Sequence, residues 1–476
     1  MGTLITGDIC ILGGGSGGLS VAAGASQMGA KTILIEGGKM GGDCLNYGCV
    51  PSKSLIAAAK KAHGYHDAAD FGISAAAPEV DYGRVMDHVE DVIAGIAPHD
   101  SVERFEGLGV TVLKGYGRFV GRGEVQVGET TVRARRFVIA TGSRPAIPPV
   151  PGLEETPYLT NETLFSNRIR PDHLIVIGGG PIGMELAAAH VRLGCKVTVL
   201  EAFTALSRED PELRQVVLDC LREEGADIRE GAEIVRVAPK GGNQIEVVLN
   251  GPAGEETLAG SHLLVATGRT TNIEDLDLQA AGVETTRTGV VVDARLRTTN
   301  RKIFAIGDVA GPYQFTHAAS YHAGIVLRNA LFRLPAKVDY AAFPRVTFTD
   351  PEIASVGMDE DAARKAFGAD ITVLRFPYAE NDRARADRKT TGLVKVITSR
   401  KGRILGAGIV GYQAGELIQL WGLAISKGLK IGAVASLIAP YPTYGEINKR
   451  AAGAFYTPKL FSKGTARLVR FLGLFG

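Results

Sequence analysis

The chain has 476 residues, which is too many for a single hydrophobic core, so two to four domains are expected. Its composition is that of an ordinary globular protein, with 45% hydrophobic and 22% charged residues. The formal net charge of +2 gives no reason to expect a nucleic-acid partner.

The ends and the apolar runs of the sequence point to a cytoplasmic protein. The N-terminus has neither a basic region nor a small-residue cleavage site, so no secretory signal is expected. No stretch of about 18 uncharged apolar residues occurs, so no membrane-spanning helix is expected. The longest candidate, residues 404–440, is interrupted by charged residues.

The first predicted elements are a strand, a glycine-rich turn, a helix and a second strand. An apolar run over Ile9–Leu12 meets a glycine cluster, an alanine-rich stretch follows, and a second apolar run ends at Glu36. Gly13, Gly15 and Gly18 fit the pattern G-x-G-x-x-G, and their position between strand and helix favours a dinucleotide site.

The same unit returns later in the chain. Gly178, Gly180 and Gly183 repeat the glycine pattern and Glu201 repeats the acid, again 23 positions after the first glycine. Such glycines allow a tight turn, a close approach to a pyrophosphate and helix packing, while the acid accepts hydrogen bonds from a ribose. The helix N-terminus offers free N–H groups to the phosphates. Two dinucleotide sites are therefore predicted.

Later segments add further signs of nucleotide binding up to Asp308, and these signs end before Tyr340. Ala-Thr-Gly follows a buried-looking strand at residues 140–142 and again at 266–268, where each copy closes a nucleotide-binding unit. A further strand ends in Gly307-Asp308, where the aspartate could hold a sugar-like hydroxyl chain or form only a turn. From Tyr340 onward strands precede helices without a nucleotide signature, which predicts a separate α+β domain.

Two of the five cysteines, Cys44 and Cys49, lie close together in GGDCLNYGCVPSK. A zinc site needs about four ligands, and no second C-x-x-C or histidine pair lies in a plausible place. A structural disulfide is unusual in a reducing cytosol, and on a regular helix the two Cα atoms would be roughly 8–9 Å apart, beyond disulfide reach. A disulfide between Cys44 and Cys49 therefore requires a distorted helix start, which the flexible backbone of Gly48 would allow. A strained disulfide of this kind is easily reduced, as a redox pair must be. An electron relay is favoured, and Cys10, Cys195 and Cys220 are expected to be small buried hydrophobic residues.

The motif GGDCLNYGCVPSK resembles the redox motif of the class I pyridine nucleotide-disulfide oxidoreductases, which include dihydrolipoamide dehydrogenase, glutathione reductase and mercuric reductase. The resemblance runs from the first glycine motif to Glu446. It implies an α/β fold with two Rossmann-like dinucleotide-binding domains, for FAD and NAD(P), and a C-terminal α+β dimerisation domain. The implied boundaries are 1–148 and 272–339 for the two parts of the FAD-binding domain, 149–271 for the NAD(P)-binding domain, and 340–476 for the dimerisation domain with an amphipathic tail.

The same resemblance assigns roles to individual residues. Cys49 would face the flavin as the charge-transfer thiolate, and Cys44 would be the interchange thiol that attacks the substrate. Both are expected to have lowered pKa values in the reduced enzyme. Lys53 would lie near the flavin and pair with Glu185. The implied cofactor-binding residues are Gly13, Gly15, Ser16, Gly18, Glu36, Gly42, Lys53, Thr141, Gly142, Asp308, Gln314, Phe315, Thr316 and His317 for FAD, and Gly178, Gly180, Ile182, Gly183, Glu201 and Gly268 for the nicotinamide nucleotide. No metal ligands are predicted.

One position departs from the family pattern. The C-terminal motif His-Pro-Thr-x-x-Glu begins here with Tyr441 and ends at Glu446, and both residues would complete the partner subunit's site in a homodimer. Tyrosine titrates near 10 and histidine near 6.5, so an unperturbed tyrosine is a poor base for oxidising dihydrolipoamide at neutral pH. The phenol could instead donate a hydrogen bond or ligate a metal.

Mercuric reductases also carry a tyrosine here, preceded by a proline such as Pro440. They end, however, in a cysteine pair that delivers metal, whereas this sequence ends in GTARLVRFLGLFG, and it shows no N-terminal C-x-x-C module. The sequence therefore predicts an enzyme that passes electrons from NAD(P)H through FAD to Cys44–Cys49 and on to a disulfide, a metal ion or an electrophile. The alternatives are a dihydrolipoyl dehydrogenase that uses NAD and a redox-sensing or membrane-surface partner protein with little turnover.

Two further expectations concern the nucleotide and the tail. Glu201 would bond the 2′-hydroxyl of NADH and repel the 2′-phosphate of NADPH, so NADH is favoured over NADPH. The tail KLFSKGTARLVRFLGLFG alternates bases with large apolar residues. This pattern predicts either a short amphipathic helix for peripheral membrane contact or a segment that packs on the dimer interface.

Overall fold

The computed structural model describes residues 2–241, 244–251 and 254–475. The terminal residues Met1 and Gly476 of the predicted first and last domains lie outside the described residues, as do 242–243 and 252–253 of the predicted NAD(P)-binding domain. The described helices and strands alternate through most of the chain, as the α/β prediction requires.

The strands, numbered in chain order, are β1 (Thr3–Leu12), β2 (Thr32–Glu36), β3 (Thr111–Lys114), β4 (Arg118–Gly121), β5 (Glu124–Val127), β6 (Thr130–Ile139), β7 (Ser143–Pro145), β8 (His173–Ile177), β9 (Lys196–Glu201), β10 (Asp227–Glu230), β11 (Glu233–Pro239), β12 (Ile245–Gly251), β13 (Gly254–Gly260), β14 (His262–Val265), β15 (Arg269–Thr271), β16 (Thr285–Thr286), β17 (Gly289–Val290), β18 (Ile303–Ala305), β19 (Pro344–Thr347), β20 (Glu352–Gly357), β21 (Ile371–Pro377), β22 (Leu393–Ser399) and β23 (Ile404–Gly411).

The α-helices are α1 (Ser16–Gln27), α2 (Gly42–Asn46), α3 (Cys49–His63), α4 (Tyr82–Ile96), α5 (Val102–Gly107), α6 (Asn161–Leu164), α7 (Pro181–Arg192), α8 (Pro211–Glu223), α9 (Thr316–Ala330), α10 (Glu360–Phe367), α11 (Asp382–Ala386), α12 (Ala414–Ser426), α13 (Ile431–Ala435), α14 (Glu446–Gly453), α15 (Thr457–Leu460) and α16 (Lys463–Leu472). Short 3-10 helices cover Ala68–Phe71, Ala97–Asp100, Gly307–Ala310 and Tyr378–Glu380. None of the helices in the described ranges combines the length and the apolarity that a membrane span requires.

The chain divides into two compact units. Unit 1 comprises Met1–Gly178, Arg192–Lys196 and Glu233–Val338, and unit 2 comprises Gly179–Val191, Val197–Ala232 and Asp339–Gly476. The first predicted strand–helix–strand unit, β1–α1–β2, lies wholly within unit 1. The second, β8–α7–β9, crosses the boundary, so its parts are described within their own units.

The main sheet of unit 1 has the strand order β3-β2-β1-β6-β5-β4, with β18 also paired to β6. Strand β1 runs parallel to β2, as the crossover through α1 requires, and it also runs parallel to β6. Alternate residues of β1 enter different cores. Ile9 and Ile11 join a core with α1 and α9, whereas Cys10 and Leu12 join one that contains β5. Because both faces are covered, the strand is apolar along its last four residues.

Unit 1 also contains the parallel pair β8–β14 and an antiparallel sheet of β11, β12 and β13. In unit 2, β9 pairs in parallel with β10. A five-stranded sheet in the order β19-β20-β23-β22-β21 follows from residue 344. Helices α12 and α14 cover this sheet through a core centred on Trp421, whose Nε1 donates to Asn448 Oδ1 at 2.8 Å. This part is the α+β domain that the sequence predicts after Tyr340.

Candidate active site

The cysteine pair lies at a break between two helices of unit 1. Helix α2 ends at Asn46 and α3 begins at Cys49, with Tyr47 and Gly48 between them outside helical geometry. This break confirms the predicted distorted helix start. Cys44 is half-buried and Cys49 is exposed, the two are in the thiol state, and their side chains are hydrogen-bonded to each other.

Two further helix N-termini meet the cysteine pair. Cys49 Sγ lies 3.6 Å from the hydroxyl of Thr316, the first residue of α9. Cys44 forms side-chain hydrogen bonds with Thr316 and with Ser16, the first residue of α1. The structure thus brings four of the predicted site residues together, at a place where helix dipoles favour negative charge.

The expectation of a lowered pKa is wrong for Cys44. The hydrogen bond with Cys49 raises the pKa of the Cys44 thiol most, and burial raises it further. The hydroxyls of Thr316 and Ser16 lower it and offset only part of this effect. The physical reason is that two adjacent thiols cannot both ionise easily, so their protons leave in coupled steps.

The redox segment is packed directly onto the first glycine turn. Gly41 N donates to Gly14 O at 2.9 Å, and Gly15 and Gly41 form an isolated parallel bridge. Gly42 has a φ of +60°, and a Cβ added there would lie 2.7 Å from the Cα of Gly15. No side chain fits at Gly42, which explains the glycine there, whereas a Cβ on Gly15 would lie 3.8 Å from the Cα of Gly42, in ordinary contact.

The first dinucleotide motif fits an FAD. Gly13 has a φ of +109°, and a Cβ there would lie 2.3 Å from Ala140 O, while a Cβ on Gly18 would lie 1.8 Å from Gly13 O. No side chain in the described ranges caps the start of α1, and its first turn carries no acid, so its backbone N–H groups suit a phosphate. Glu36 accepts from Gly14 N at 2.5 Å and retains lone pairs for ribose hydroxyls.

The second motif shows the same local relationship in unit 2. Glu201 accepts hydrogen bonds from Gly179 N at 2.7 Å and from Phe203 N at 2.9 Å. A Cβ at Gly180 would meet only open space, Gly183 is buried, and Ile182 is 36% exposed. Gly180 therefore leaves the start of α7 open to a ligand.

Gly178, the first glycine of this motif, and Gly268, from the second Ala-Thr-Gly segment, lie in unit 1. A Cβ at Gly178 would lie 2.5 Å from Ala266 O, whereas one at Gly268 would be unobstructed. Gly178 therefore corresponds to Gly13 in its backbone contact with an Ala-Thr-Gly segment.

Asp308 is held by a polar network in unit 1. Ser143 Oγ donates to Asp308 Oδ2 at 2.5 Å. Burial raises the pKa of Asp308, although the Ser143 hydroxyl and Arg269 lower it in part. Nearby, Thr141 Oγ1 donates to Asn272 O at 2.7 Å, and Gly142 O accepts from Asn272 N at 3.0 Å. These contacts fix the strand ends that the sequence assigns to FAD.

Arg269 joins this network to the redox segment, and sequence analysis missed it. Its Nε donates to Ser143 Oγ at 2.7 Å, and its Nη2 lies 3.1 Å from Asp43 Oδ1. The side chain is only 11% exposed. Asp43 also accepts from Asn161 Nδ2 at 3.2 Å. Arg269 directly follows the second Ala-Thr-Gly segment, and Asp43 lies within the cysteine motif. Both residues therefore stand in motifs that the sequence singles out, but the sequence does not indicate that they pair with each other.

The other predicted flavin residues occupy the start of α9 and the first turns of α3. Phe315 precedes the helix, and its ring lies 5.2 Å from the ring of His317, while Gln314 is half-buried. Lys53 lies on α3 with its Nζ 3.4 Å from Ser52 Oγ. Glu185, on α7 in unit 2, is buried and accepts from Phe348 N at 2.9 Å. Lys53 and Glu185 belong to different units, so their predicted pairing stays a prediction.

Tyr441 and Glu446 lie at the end of unit 2. Tyr441 is 69% exposed, and its hydroxyl donates to Asp382 Oδ2 at 3.0 Å. This hydrogen bond, and the negative charge of Asp382, raise the pKa of the phenol. Glu446 begins α14 and forms an ion pair with Arg450 at 3.0 Å. Sequence analysis missed Asp382, which stands 59 positions before the tyrosine.

The other three cysteines differ from the pair in their surroundings. Cys10 and Cys195 are buried, as expected, whereas Cys220 is half-buried. Burial raises the pKa of Cys195 to about 12 and that of Cys220 to about 11. Such thiols remain protonated and unreactive at neutral pH.

Comparisons with known proteins identify the family of this chain. The family model described as pyridine nucleotide-disulphide oxidoreductase matches residues 7–323, and its dimerisation-domain model matches 343–452. The chain is 36% identical to mercuric reductase of Lysinibacillus sphaericus over 94% of this chain and 82% of that protein. It is 35% identical to dihydrolipoyl dehydrogenase of Geobacillus stearothermophilus over 94% and 95%.

A solved structure is similar throughout. It is the Cu(II) complex of the HOCl-induced flavoprotein disulfide reductase RclA from Escherichia coli, with a TM-score of 0.84, 29% identity, and coverage of 93% of this chain and 99% of that one. The dimerisation-domain match supports a homodimer. The chain therefore belongs to the pyridine nucleotide-disulphide oxidoreductase family, as an enzyme that uses FAD and a pyridine nucleotide.

Proposed function

We propose that the enzyme works as a reductase whose terminal acceptor is a small disulfide, a metal ion or an electrophile. The observation that carries this proposal is the hydrogen bond from Tyr441 to Asp382. A phenol that donates to a carboxylate and has a raised pKa cannot act as a base near neutral pH. Oxidation of dihydrolipoamide needs such a base, whereas delivery of electrons to an acceptor does not.

The bound FAD would supply the route by which two electrons pass from the nicotinamide to the protein. Cys49 and Cys44 would exist alternately as a disulfide and as two thiols, and Cys44 would attack the acceptor as the thiolate that reduction of the disulfide produces, before it takes up a proton. One turnover converts NADH to NAD⁺ and either reduces one disulfide to two thiols, with one proton taken from solvent, or reduces two Cu(II) ions to two Cu(I) ions, with one proton released. Gly13, Gly15, Gly18 and Glu36 would hold the FAD, as the contacts of the first turn support.

Metal ions stand among the proposed acceptors because of two relatives. One is a mercuric reductase, and the other is a flavoprotein disulfide reductase solved as a Cu(II) complex. In this chain a neutral Tyr441 hydroxyl would be a hydrogen-bond donor or a weak metal ligand beside the partner subunit's cysteine pair. Glu446 would complete the same place in the homodimer.

The finer predictions from the sequence are kept as proposals. The domain boundaries are 1–148, 149–271, 272–339 and 340–476, and the enzyme is placed in the cytoplasm with peripheral membrane contact through its tail. NADH is the preferred reductant, because the Glu201 carboxylate would repel a 2′-phosphate. Lys53 and Glu185 would act near the flavin.

The test is an acceptor screen on the purified FAD-loaded homodimer. NADH oxidation is followed with lipoamide, glutathione disulfide, Hg(II) and Cu(II), and the reverse reaction is followed with dihydrolipoamide and NAD⁺. We expect turnover with at least one forward acceptor that disappears in Cys44→Ser. Faster reverse turnover would identify a dihydrolipoyl dehydrogenase instead. No turnover with any acceptor, together with a disulfide that resists NADH, would favour a redox-sensing protein.

A further inference from the structure

The segment from Phe455 to Phe475, called the tail below, lies beyond the part of the chain that the family accounts for. The dimerisation-domain match ends at residue 452. The tail contains the short helix α15 and the ten-residue helix α16, which Ser462 caps by accepting from Thr465 N at 3.2 Å. It is a regular structure for which the family's enzymatic function gives no reason.

The large apolar side chains of the tail are exposed. Leu468, Val469 and Leu472 are 55%, 62% and 55% exposed, although they follow one another on a single face of α16. Phe471, which is also in α16, is exposed too, as are the large apolar residues before and after the helix, Leu460, Phe461, Leu474 and Phe475. Exposed apolar clusters of this kind mark an interaction surface.

The charges of the tail are all of one sign and occupy the other face of the helix. Lys463, Arg467 and Arg470 fall within a narrow sector of α16, roughly 180° from the apolar face at about 100° per residue. Lys459 adds a fourth base. No aspartate or glutamate follows Glu446 in the sequence, so the tail carries no acidic group that could neutralise these bases.

We propose that the tail binds the surface of a membrane rich in anionic lipids. The apolar face would enter the boundary between headgroups and acyl chains, and the basic side chains would lie near the lipid phosphates. Charge complementarity favours this partner over a second copy of the chain, because a second tail would bring four more positive charges. A helix of ten residues lies on a membrane and does not cross it.

This inference rests on the proposed peripheral membrane contact and names its partner, and it does not depend on the electron acceptor. Reductase turnover and lipid binding can therefore fail separately. The consequence for the enzyme is that its reducing power would be concentrated at the membrane surface, on acceptors present there.

The experiment is co-sedimentation of the FAD-loaded full chain with two kinds of vesicle, one of phosphatidylcholine and one of equal parts phosphatidylcholine and phosphatidylglycerol. We expect binding to the anionic vesicles only, weakened by salt. Each base near an anionic surface contributes roughly fivefold, so Lys463→Gln/Arg467→Gln/Arg470→Gln should lower partitioning about a hundredfold. Leu468→Gln/Leu472→Gln should also abolish binding.

A matched control replaces three exposed bases outside the tail, as Arg287→Gln/Lys365→Gln/Lys401→Gln, and should bind as the wild type does. Flavin content and NADH-driven turnover show that each variant is folded. Equal binding to both vesicles, or undiminished binding of the triple tail variant, would overturn the proposal. Loss of the dimer in the tail variants, without any lipid binding by the wild type, would overturn it in favour of a second copy.

Discussion

The guanidinium of Arg269 lies 3.1 Å from the carboxylate of Asp43, the residue immediately before the predicted interchange thiol Cys44. The same guanidinium donates two hydrogen bonds to Ser143, which in turn donates to Asp308. One cation therefore links the redox segment to the residue proposed to hold the FAD ribityl chain. We expect its position to determine where the cysteines lie relative to a bound flavin.

Replacing this cation should disturb the redox segment. In Arg269→Gln, Asp43 and Asp308 lose their shared partner, so the free energy of unfolding should fall by about 2 kcal/mol, less than for a fully buried pair. Turnover should fall on the order of tenfold, because the thiols are no longer held in place. The direct measurement is an anaerobic NADH titration, in which the long-wavelength absorbance of a thiolate beside the flavin should weaken.

Arg144→Gln is the matched control for this prediction. Arg144 forms a bidentate pair with Glu274, but both side chains are about half exposed. Loss of this pair should lower the free energy of unfolding by less than about 1 kcal/mol and leave the long-wavelength absorbance unchanged. Arg269→Lys should restore part of the spectrum, and an unchanged spectrum in Arg269→Gln would contradict the positioning role.

Asp382 should control the ionisation of Tyr441. In Asp382→Asn the negative charge is lost, so the pKa of the phenol should fall toward its ordinary value. The change is measured as phenolate absorbance during an alkaline titration. The signal of Tyr441 is isolated by subtracting the titration of a Tyr441→Phe variant in each background. Identical difference curves with and without Asp382 would show that the hydrogen bond does not hold the proton.

Tyr441→His should move the enzyme toward dihydrolipoamide oxidation. Histidine with a pKa near 6.5 can accept a thiol proton at neutral pH, which a tyrosine with a raised pKa cannot do. Reduction of NAD⁺ by dihydrolipoamide should rise by roughly two orders of magnitude, the usual contribution of a general base. Tyr441→Phe serves as the control and should show no gain. Equal rates for the histidine and phenylalanine variants would mean that another group supplies the base.

Acid should weaken unit 2 through Glu360. Lys395 Nζ lies 2.8 Å from Asp210, 3.0 Å from Glu212 and 2.9 Å from Glu360. Burial would raise the pKa of Glu360, but hydrogen bonds from Lys395 and Arg364 lower it from 4.5 to about 2. Folding therefore favours the ionised form of Glu360. Its contribution of about 3 kcal/mol to the free energy of unfolding is complete above pH 4.5 and is lost as the pH falls toward 2.

Urea unfolding at a series of pH values tests this contribution. Glu360→Gln should lower stability at neutral pH and flatten the decline between pH 4.5 and 2. Asp361→Asn, at the adjacent exposed position, should retain the wild-type decline. A wild-type decline in Glu360→Gln would assign the acid sensitivity to other carboxylates.

Features of the fold that depend on a local sequence pattern could be predicted from the sequence alone. The glycines at 13 and 178 predicted their turns because a backbone contact excludes any side chain there, and Glu36 and Glu201 end their strands as predicted. Helix α16 also followed from its alternating bases and apolar residues.

Contacts between distant segments could not be predicted in this way. Arg269 and Asp43 are 226 positions apart in the sequence, and nothing in either segment identifies the other. The raised pKa of Cys44 depends on its hydrogen bond with Cys49 and on burial, which are properties of the packed site. The raised pKa of Tyr441 likewise depends on Asp382, which lies on α11, whereas Tyr441 lies in the segment between α13 and α14.

The contact between Gly15 and Gly42 has a consequence for how this protein can vary. A side chain at Gly42 would collide with Gly15 backbone, and the collision could not be relieved by a compensating change at position 15, because glycine there is already the smallest residue. A saturation library should therefore recover glycine alone at position 42, with no second-site suppressor on the facing turn. The backbone of the first glycine turn therefore limits which residues evolution can accept in the segment that carries the two cysteines.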